Sequence, residues 1–153
     1  MSSIAETLDA AVAHLARAGV DSPRFEAELL LARLTETDRG GLIVRREDVL
    51  DPGAAERYAE WVSRRARREP LQHITGRQEF HGLEFLSDRR ALVPRPETEG
   101  VVDAALELLP PGAARAADLG TGSGCIAVTL AGKRRGLLLH ALDRSAEAVE
   151  LAR

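Results

Sequence analysis

The chain has 153 residues, 44% apolar and 29% charged, the make-up of a soluble globular protein long enough for one ordinary domain or two small ones. A formal net charge of −3 argues against a generally nucleic-acid-binding surface, while leaving room for a local basic patch. A single cysteine excludes an internal disulfide framework and any multi-cysteine zinc site. No apolar run approaches membrane-spanning length, and Met1-Ser2-Ser3 leads straight into an amphipathic pattern, so the expected setting is cytoplasmic, with no membrane partner. Arginine far outnumbers lysine, and asparagine does not occur at all.

Ile4, Leu8, Val12 and Leu15 recur at helical spacing between a candidate serine cap, Ser2 or Ser3, and a stop at Gly19. Asp21-Ser22-Pro23 opens a second helix with Phe25, Leu29, Leu30 and Leu34 on its apolar face. Thr37-Asp38-Arg39-Gly40-Gly41 is expected to break it, with a short helix somewhere between Leu42 and Leu50. Asp51-Pro52-Gly53 starts the next helix, over Ala54 to Arg68, with Ala55, Tyr58, Trp61 and Val62 marking one face. Arg64, Arg65, Arg67 and Arg68 crowd its end, where cations suit the helix dipole. They read either as a solvated helix end or as a patch for an acidic partner.

After Pro70 the pattern changes. Ile74 to Phe85 carries β-branched and aromatic residues around His81-Gly82, a β-hairpin signature. Leu92-Val93-Pro94-Arg95-Pro96-Glu97-Thr98-Glu99 follows, its two prolines opposing regular structure. Gly100 to Leu109 then reads as a helix ended by Pro110-Pro111-Gly112. His73 and His81 have no partners at metal-ligand spacing, so no metal site is expected.

The most informative stretch is Ala117-Asp118-Leu119-Gly120-Thr121-Gly122-Ser123-Gly124-Cys125-Ile126-Ala127-Val128. An apolar lead-in ends in an acid, three glycines alternate, and helical spacing follows: strand, tight turn, helix. Glycines let a ligand approach the backbone, and the first amides of the following helix favour an anion such as a carboxylate. A dinucleotide fingerprint counted from Gly120 would place its third small residue at Cys125, a poor fit. The spacing Asp118, Gly120, Gly122, Gly124 instead resembles the cofactor loop of class I S-adenosylmethionine-dependent methyltransferases. After the helix, Gly136 to Leu142 suits a buried parallel strand, and Asp143 stands at its tip. An acid roughly 20 residues beyond such a loop accepts ribose hydroxyls. The competing reading is that Asp143 merely caps the helix opening at Arg144-Ser145. Cys125 reads as a small core residue.

Pro70-Leu71-Gln72-His73-Ile74-Thr75-Gly76, then Glu79-Phe80-His81-Gly82-Leu83-Glu84-Phe85, then Leu92-Val93-Pro94-Arg95-Pro96-Glu97-Thr98-Glu99 closely resembles the linker of the peptide chain release factor N(5)-glutamine methyltransferases. With Asp118-Leu119-Gly120-Thr121-Gly122-Ser123-Gly124 the likeness runs through the available length. It implies an α/β protein: a helical N-terminal domain over 1–69 that recognises the release factor, a β-hairpin linker over 70–99, and the first part of a Rossmann-like methyltransferase domain over 100–153. It further implies that S-adenosylmethionine is the cofactor and that the substrate is the glutamine amide of the Gly-Gly-Gln motif of peptide chain release factors. By the same resemblance Gly120, Thr121, Gly122, Ser123 and Gly124 line the methionine half, Asp118 orients the loop or the amino group, and Asp143 binds the ribose. Arg95, Glu97 and Thr98 read as a rigid connection or as part of the closing pocket.

In that family an Asn-Pro-Pro-Tyr segment after the fourth strand accepts hydrogen bonds from the reacting amide. A chain without asparagine cannot contain it, so no catalytic residue is assigned, and the expectation is the N-terminal portion of a longer enzyme. Two other functions fit parts of the pattern. One is an amino-methylating enzyme acting on adenine in nucleic acid, disfavoured by the helical N-terminal domain and acidic charge. The other is a non-catalytic module in which residues 1 to 69 dock a translation factor.

Overall fold

The computed structural model describes residues 2–110, 112 and 114–153, which fall into two compact units, Met1–Thr75 and Gly76–Arg153.

The first unit is helical. Helix α1 spans Ile4–Arg17 and begins with a full capping box: the Ser3 hydroxyl accepts from the Glu6 amide, and the Glu6 carboxylate accepts from the Ser3 amide. Ile4, Leu8, Ala11 and Leu15 are buried along it. Because the box satisfies two otherwise orphaned donors, Ser3→Ala is expected to cost about 1 kcal/mol, measured as a shift in the urea midpoint of unfolding at unchanged slope.

Helix α2 spans Pro23–Leu34, with Pro23 in the first turn as its fixed φ allows. Leu30 and Leu34 of its expected core face are buried and Leu29 is half-buried, but Phe25 departs from it. Ala27, Leu30, Leu31, Ala32 and Leu34 are buried, whereas Phe25 is 48% exposed and carries the Arg39 guanidinium 5.2 Å above its ring.

Helix α2 ends before Thr37–Gly41, as expected, but the short helix that follows begins earlier than expected, so that Gly40-Gly41 lie in the first turn of α3, Arg39–Val44, capped by the Asp38 carboxylate accepting from the Gly41 amide. Capping and burial of Leu42 outweigh the poor helix propensity of two glycines. Helix α4 spans Pro52–Ala66, capped by Asp51. Its Tyr58 is 2% exposed and donates from its hydroxyl to the Ala27 carbonyl at 2.9 Å.

At the end of α4 the solvated reading holds in part: Arg67 and Arg68 are exposed, whereas Arg64 and Arg65 are half-buried. Arg64 donates to Glu69 at 2.8 Å and to the His73 carbonyl at 3.2 Å. Arg65 forms a fork with Glu26 on α2, and Arg68 donates to the Gly19 carbonyl at 2.7 Å. Three of the four fasten neighbouring segments of the unit, so their charge is engaged inside it.

A short helix α5, Leu71–Thr75, lies where the β-branched Ile74 and Thr75 were expected to enter the hairpin. Ile74 is buried in the helical unit's core, which overrides its strand preference.

The second unit opens with that hairpin, β1 (Arg77–Phe80) and β2 (Leu83–Leu86), antiparallel with Phe80 opposite Leu83. His81 and Gly82 both take positive φ, 54° and 76°, the two-residue turn whose twist matches the strands. Glu99 accepts from the His81 amide at 2.9 Å, and the His81 ring lies 2.8 Å from Asp103. The two-proline segment is more regular than expected: Pro96–Thr98 forms a 3₁₀ turn, running into α6, Glu99–Leu108. Of the expected Pro110-Pro111-Gly112 stop, Pro111 lies outside the described residues.

Strand β3 (Ala114–Leu119), helix α7 (Cys125–Lys133), strand β4 (Leu137–Leu142) and helix α8 (Ala146–Ala152) complete the unit. The two strands are parallel, with Ala114 opposite Leu137 and Leu119 opposite Leu142. The fold is therefore a small helical domain, a hairpin and the βαβ opening of a Rossmann-like sheet. Phe80, Phe85, Val102, Cys125 and Leu130 form its core. No helix among the described residues is long and apolar enough to cross a membrane.

Candidate cofactor-binding site

The parallel register decides what meets at the strand ends. With Leu119 opposite Leu142, the next residues of each strand, Gly120 and Asp143, emerge side by side. The Leu142 carbonyl then accepts from both the Gly120 amide at 2.8 Å and the Thr121 amide at 3.0 Å, pinning the start of the glycine turn to the tip of β4.

Three glycines supply the turn itself. Gly120, Gly122 and Gly124 have φ of 82°, 57° and 77°, a left-handed region that costs side-chain-bearing residues energy. Their surroundings differ. A Cβ on Gly120 would have no heavy atom within 4 Å, and one on Gly122 would meet the Ala91 Cβ at 3.7 Å. One on Gly124 would lie 3.0 Å from the Ala152 Cβ and 3.4 Å from its Cα. Gly120 thus borders open space, while Gly124 permits α8 to pack against the start of α7.

The two acids hold consecutive residues of this turn. Thr121 donates from Oγ1 to Asp118 Oδ2 at 2.7 Å. The Gly122 amide donates to Asp143 Oδ2 at 3.0 Å, and the Ser145 amide to Asp143 Oδ1 at 2.9 Å. These two backbone donors hold the Asp143 carboxyl below the usual aspartate range. Asp143 does not cap α8: that role belongs to Ser145, whose hydroxyl accepts from the Ala148 amide at 3.3 Å. The expected pairing of glycine turn and second acid is therefore physical contact, made through an amide that spacing alone could not identify.

The Gly124 amide donates to the Thr121 carbonyl, so the amides of Gly120, Thr121, Gly122 and Gly124 all have internal acceptors. Helix α7 has no side-chain cap, so its first amides have no capping acceptor. Ser123 is 7% exposed, and its Oγ has no hydrogen-bond partner. Cys125 is a core residue, its thiol pushed up by burial. The turn thus brings together an open backbone position at Gly120, the Ser123 hydroxyl and two carboxylates held by donors of the turn. Two contributors were not anticipated. The Leu142 carbonyl leaves no sequence signal, and Ala152 could have been found only as a small residue on the α8 face turned to the glycine.

Comparison with known proteins gives a consistent picture. Residues 6–76 match the PrmC N-terminal domain. Over 151 residues, 98% of the chain, it is 43% identical to a release factor glutamine methyltransferase of Koribacter versatilis, covering 54% of that protein. It is 42% identical over 149 residues to the Deinococcus radiodurans protein of that name, covering 97% of the chain and 54% of the relative. A third, from Nitratidesulfovibrio vulgaris, is 43% identical over 138 residues, 90% of the chain and 47% of the relative. The chain spans about half the length of these relatives.

Proposed function

By sequence this chain belongs with the release factor glutamine methyltransferases, and on that premise we propose that it binds S-adenosylmethionine at the Gly120–Gly124 turn and serves methylation of the glutamine side-chain amide in the Gly-Gly-Gln motif of a release factor. The observation that carries the reading is the Asp143–Gly122 hydrogen bond at 3.0 Å, which joins the acid at the second strand tip to the glycine turn in one site.

The bound cofactor supplies an electrophilic sulfonium methyl. The chain's own residues hold and orient it. Each Asp143 oxygen accepts one amide and keeps a lone pair for a ribose hydroxyl. Asp118, half-buried at the end of β3, would accept from the cofactor's ammonium group. Gly120, with no neighbour within 4 Å of its Cβ position, lets the methionine half reach the backbone. Gly122, Ser123 and Gly124 complete the wall, and Thr121 fixes its entrance.

The acceptor amide nitrogen is a weak nucleophile, since its lone pair is delocalised into the carbonyl. Transfer requires acceptors placed for its N–H groups as positive charge develops. The absence of asparagine means that the family's acceptor side chain is not among these residues, and no catalytic group is assigned to them. Within the proposal, residues 1–69 recognise the release factor, 70–99 connect, and 100–153 hold the cofactor.

The test is a titration of the isotopically labelled chain with S-adenosylhomocysteine, followed by amide shifts, together with an assay for methyl transfer to a release factor. Expected are shifts at Gly120–Gly124 and Asp143 and no transfer by the 153 residues alone. Shifts confined to other residues overturn the site. Transfer would overturn the view that the amide acceptors lie in a segment other than this one.

A further inference from the structure

We propose that Thr121 is a positioning residue for Asp118, whose hydroxyl fixes the carboxylate so that its second oxygen, Oδ1, faces the ammonium group of the cofactor's amino-acid half. The inference rests on the cofactor reading above and adds to it a division of labour between the two carboxylate oxygens.

Thr121 is immobilised at three points. Its amide donates to the Leu142 carbonyl at 3.0 Å, its carbonyl accepts from the Gly124 amide at 2.9 Å, and its hydroxyl donates to Asp118 Oδ2 at 2.7 Å. The residue is 6% exposed. A hydroxyl has a single proton, so this donor is committed to Asp118, and its direction is set by a backbone bonded at both its amide and its carbonyl. On the other side, Asp118 sits near the end of β3, in register with Ala141, which fixes the root of the carboxylate. A carboxylate held at its backbone and at one oxygen has one orientation left.

Among the described residues Oδ1 has no hydrogen-bond donor of its own. It is not one of the buried polar atoms without a partner, so it is accessible to a donor that arrives from outside the fold. An ammonium group offers three donors, and the neighbouring turn is open at Gly120, where a Cβ would meet no heavy atom within 4 Å. The plainer role, closing the turn, makes a different prediction: a looser turn would weaken every ligand of the site equally.

Two probes separate these roles. S-adenosylhomocysteine carries the ammonium group, and 5′-methylthioadenosine has the same nucleoside without the amino-acid half. Calorimetry of the 153-residue chain with Thr121→Val should show roughly ten-fold weaker S-adenosylhomocysteine binding, the worth of one charge-assisted hydrogen bond, with 5′-methylthioadenosine affinity unchanged. Thr121→Ser, which keeps the hydroxyl, should restore the affinity for S-adenosylhomocysteine. Equal losses for both ligands in Thr121→Val, no loss for either, or no rescue by serine would each overturn the positioning role while leaving the cofactor site standing. Failure of the unmodified chain to bind either probe would overturn the site itself, and this role with it.

Discussion

Replacing Asp143 by alanine should weaken S-adenosylmethionine binding roughly 10- to 100-fold, a larger loss than for any other side chain of the site. The carboxylate has two functions that disappear together. It presents acceptors for the ribose hydroxyls, and it holds the Gly122 amide at 3.0 Å, so its removal leaves a backbone donor unmatched and the glycine turn free at its centre. Asp143→Asn separates the parts: an amide keeps the shape but must turn its NH₂ toward one of two backbone donors, and an intermediate loss is expected.

The pH dependence has a definite sign. Backbone amides from Ser145 and Gly122 favour the ionised form and lower the Asp143 pKa. A group depressed in the folded state contributes stability that is present above its unfolded pKa and lost as pH falls through the lower folded value. Cofactor affinity should therefore be flat through neutral pH and decline only below the ordinary aspartate range. Calorimetry across that interval checks both points, and an alanine variant with unaltered affinity would remove Asp143 from the site.

The sequence was legible where a residue's role is local. Ser3, Ile4, Leu8 and Leu15 mark α1 because a cap and a helical stripe are contained within one helix. His81-Gly82 marks the hairpin because the two-residue turn demands positive φ at both positions. Errors came where capping or packing overrides a local preference. Gly40-Gly41 became helical because Asp38 caps them and Leu42 is buried. Ile74 left the strand for the core of the helical unit. The fastening of Arg65 by Glu26 and of Arg68 by Gly19 leaves no local signal, because the partners are distant in sequence. At the site the same rule holds. Alternating glycines and two acids could be read directly, but the carboxylate–amide bond between Asp143 and Gly122 arises only once the parallel register sets two strand ends level.

The last of the alternating glycines differs in kind from the first, and substitution should expose the difference. Gly124→Val places a β-branched side chain at φ 77° with its Cβ 3.0 Å from that of Ala152. Left-handed strain and overpacking of α8 together should cost about 3 kcal/mol, lowering the unfolding temperature of the unit by about 10 °C or more, followed by far-UV circular dichroism. The close atoms at Ala152 include backbone, so the clash cannot be relieved by a rotamer change and must displace α8, carrying Ser145 and the Asp143 carboxylate with it. Gly120→Ala is the contrast. It shares the unfavourable φ, at 82°, but its Cβ points into space with no heavy atom within 4 Å. It should lose only about 1 kcal/mol of stability, yet its methyl group occupies the ground where a ligand would approach the backbone, so cofactor affinity should fall further than stability does. If Gly120→Ala bound S-adenosylhomocysteine as tightly as the parent chain, the open side of the turn would not be the ligand's side. If Gly124→Val unfolded at the parent temperature, the turn would be tolerant enough that its glycines owe nothing to packing.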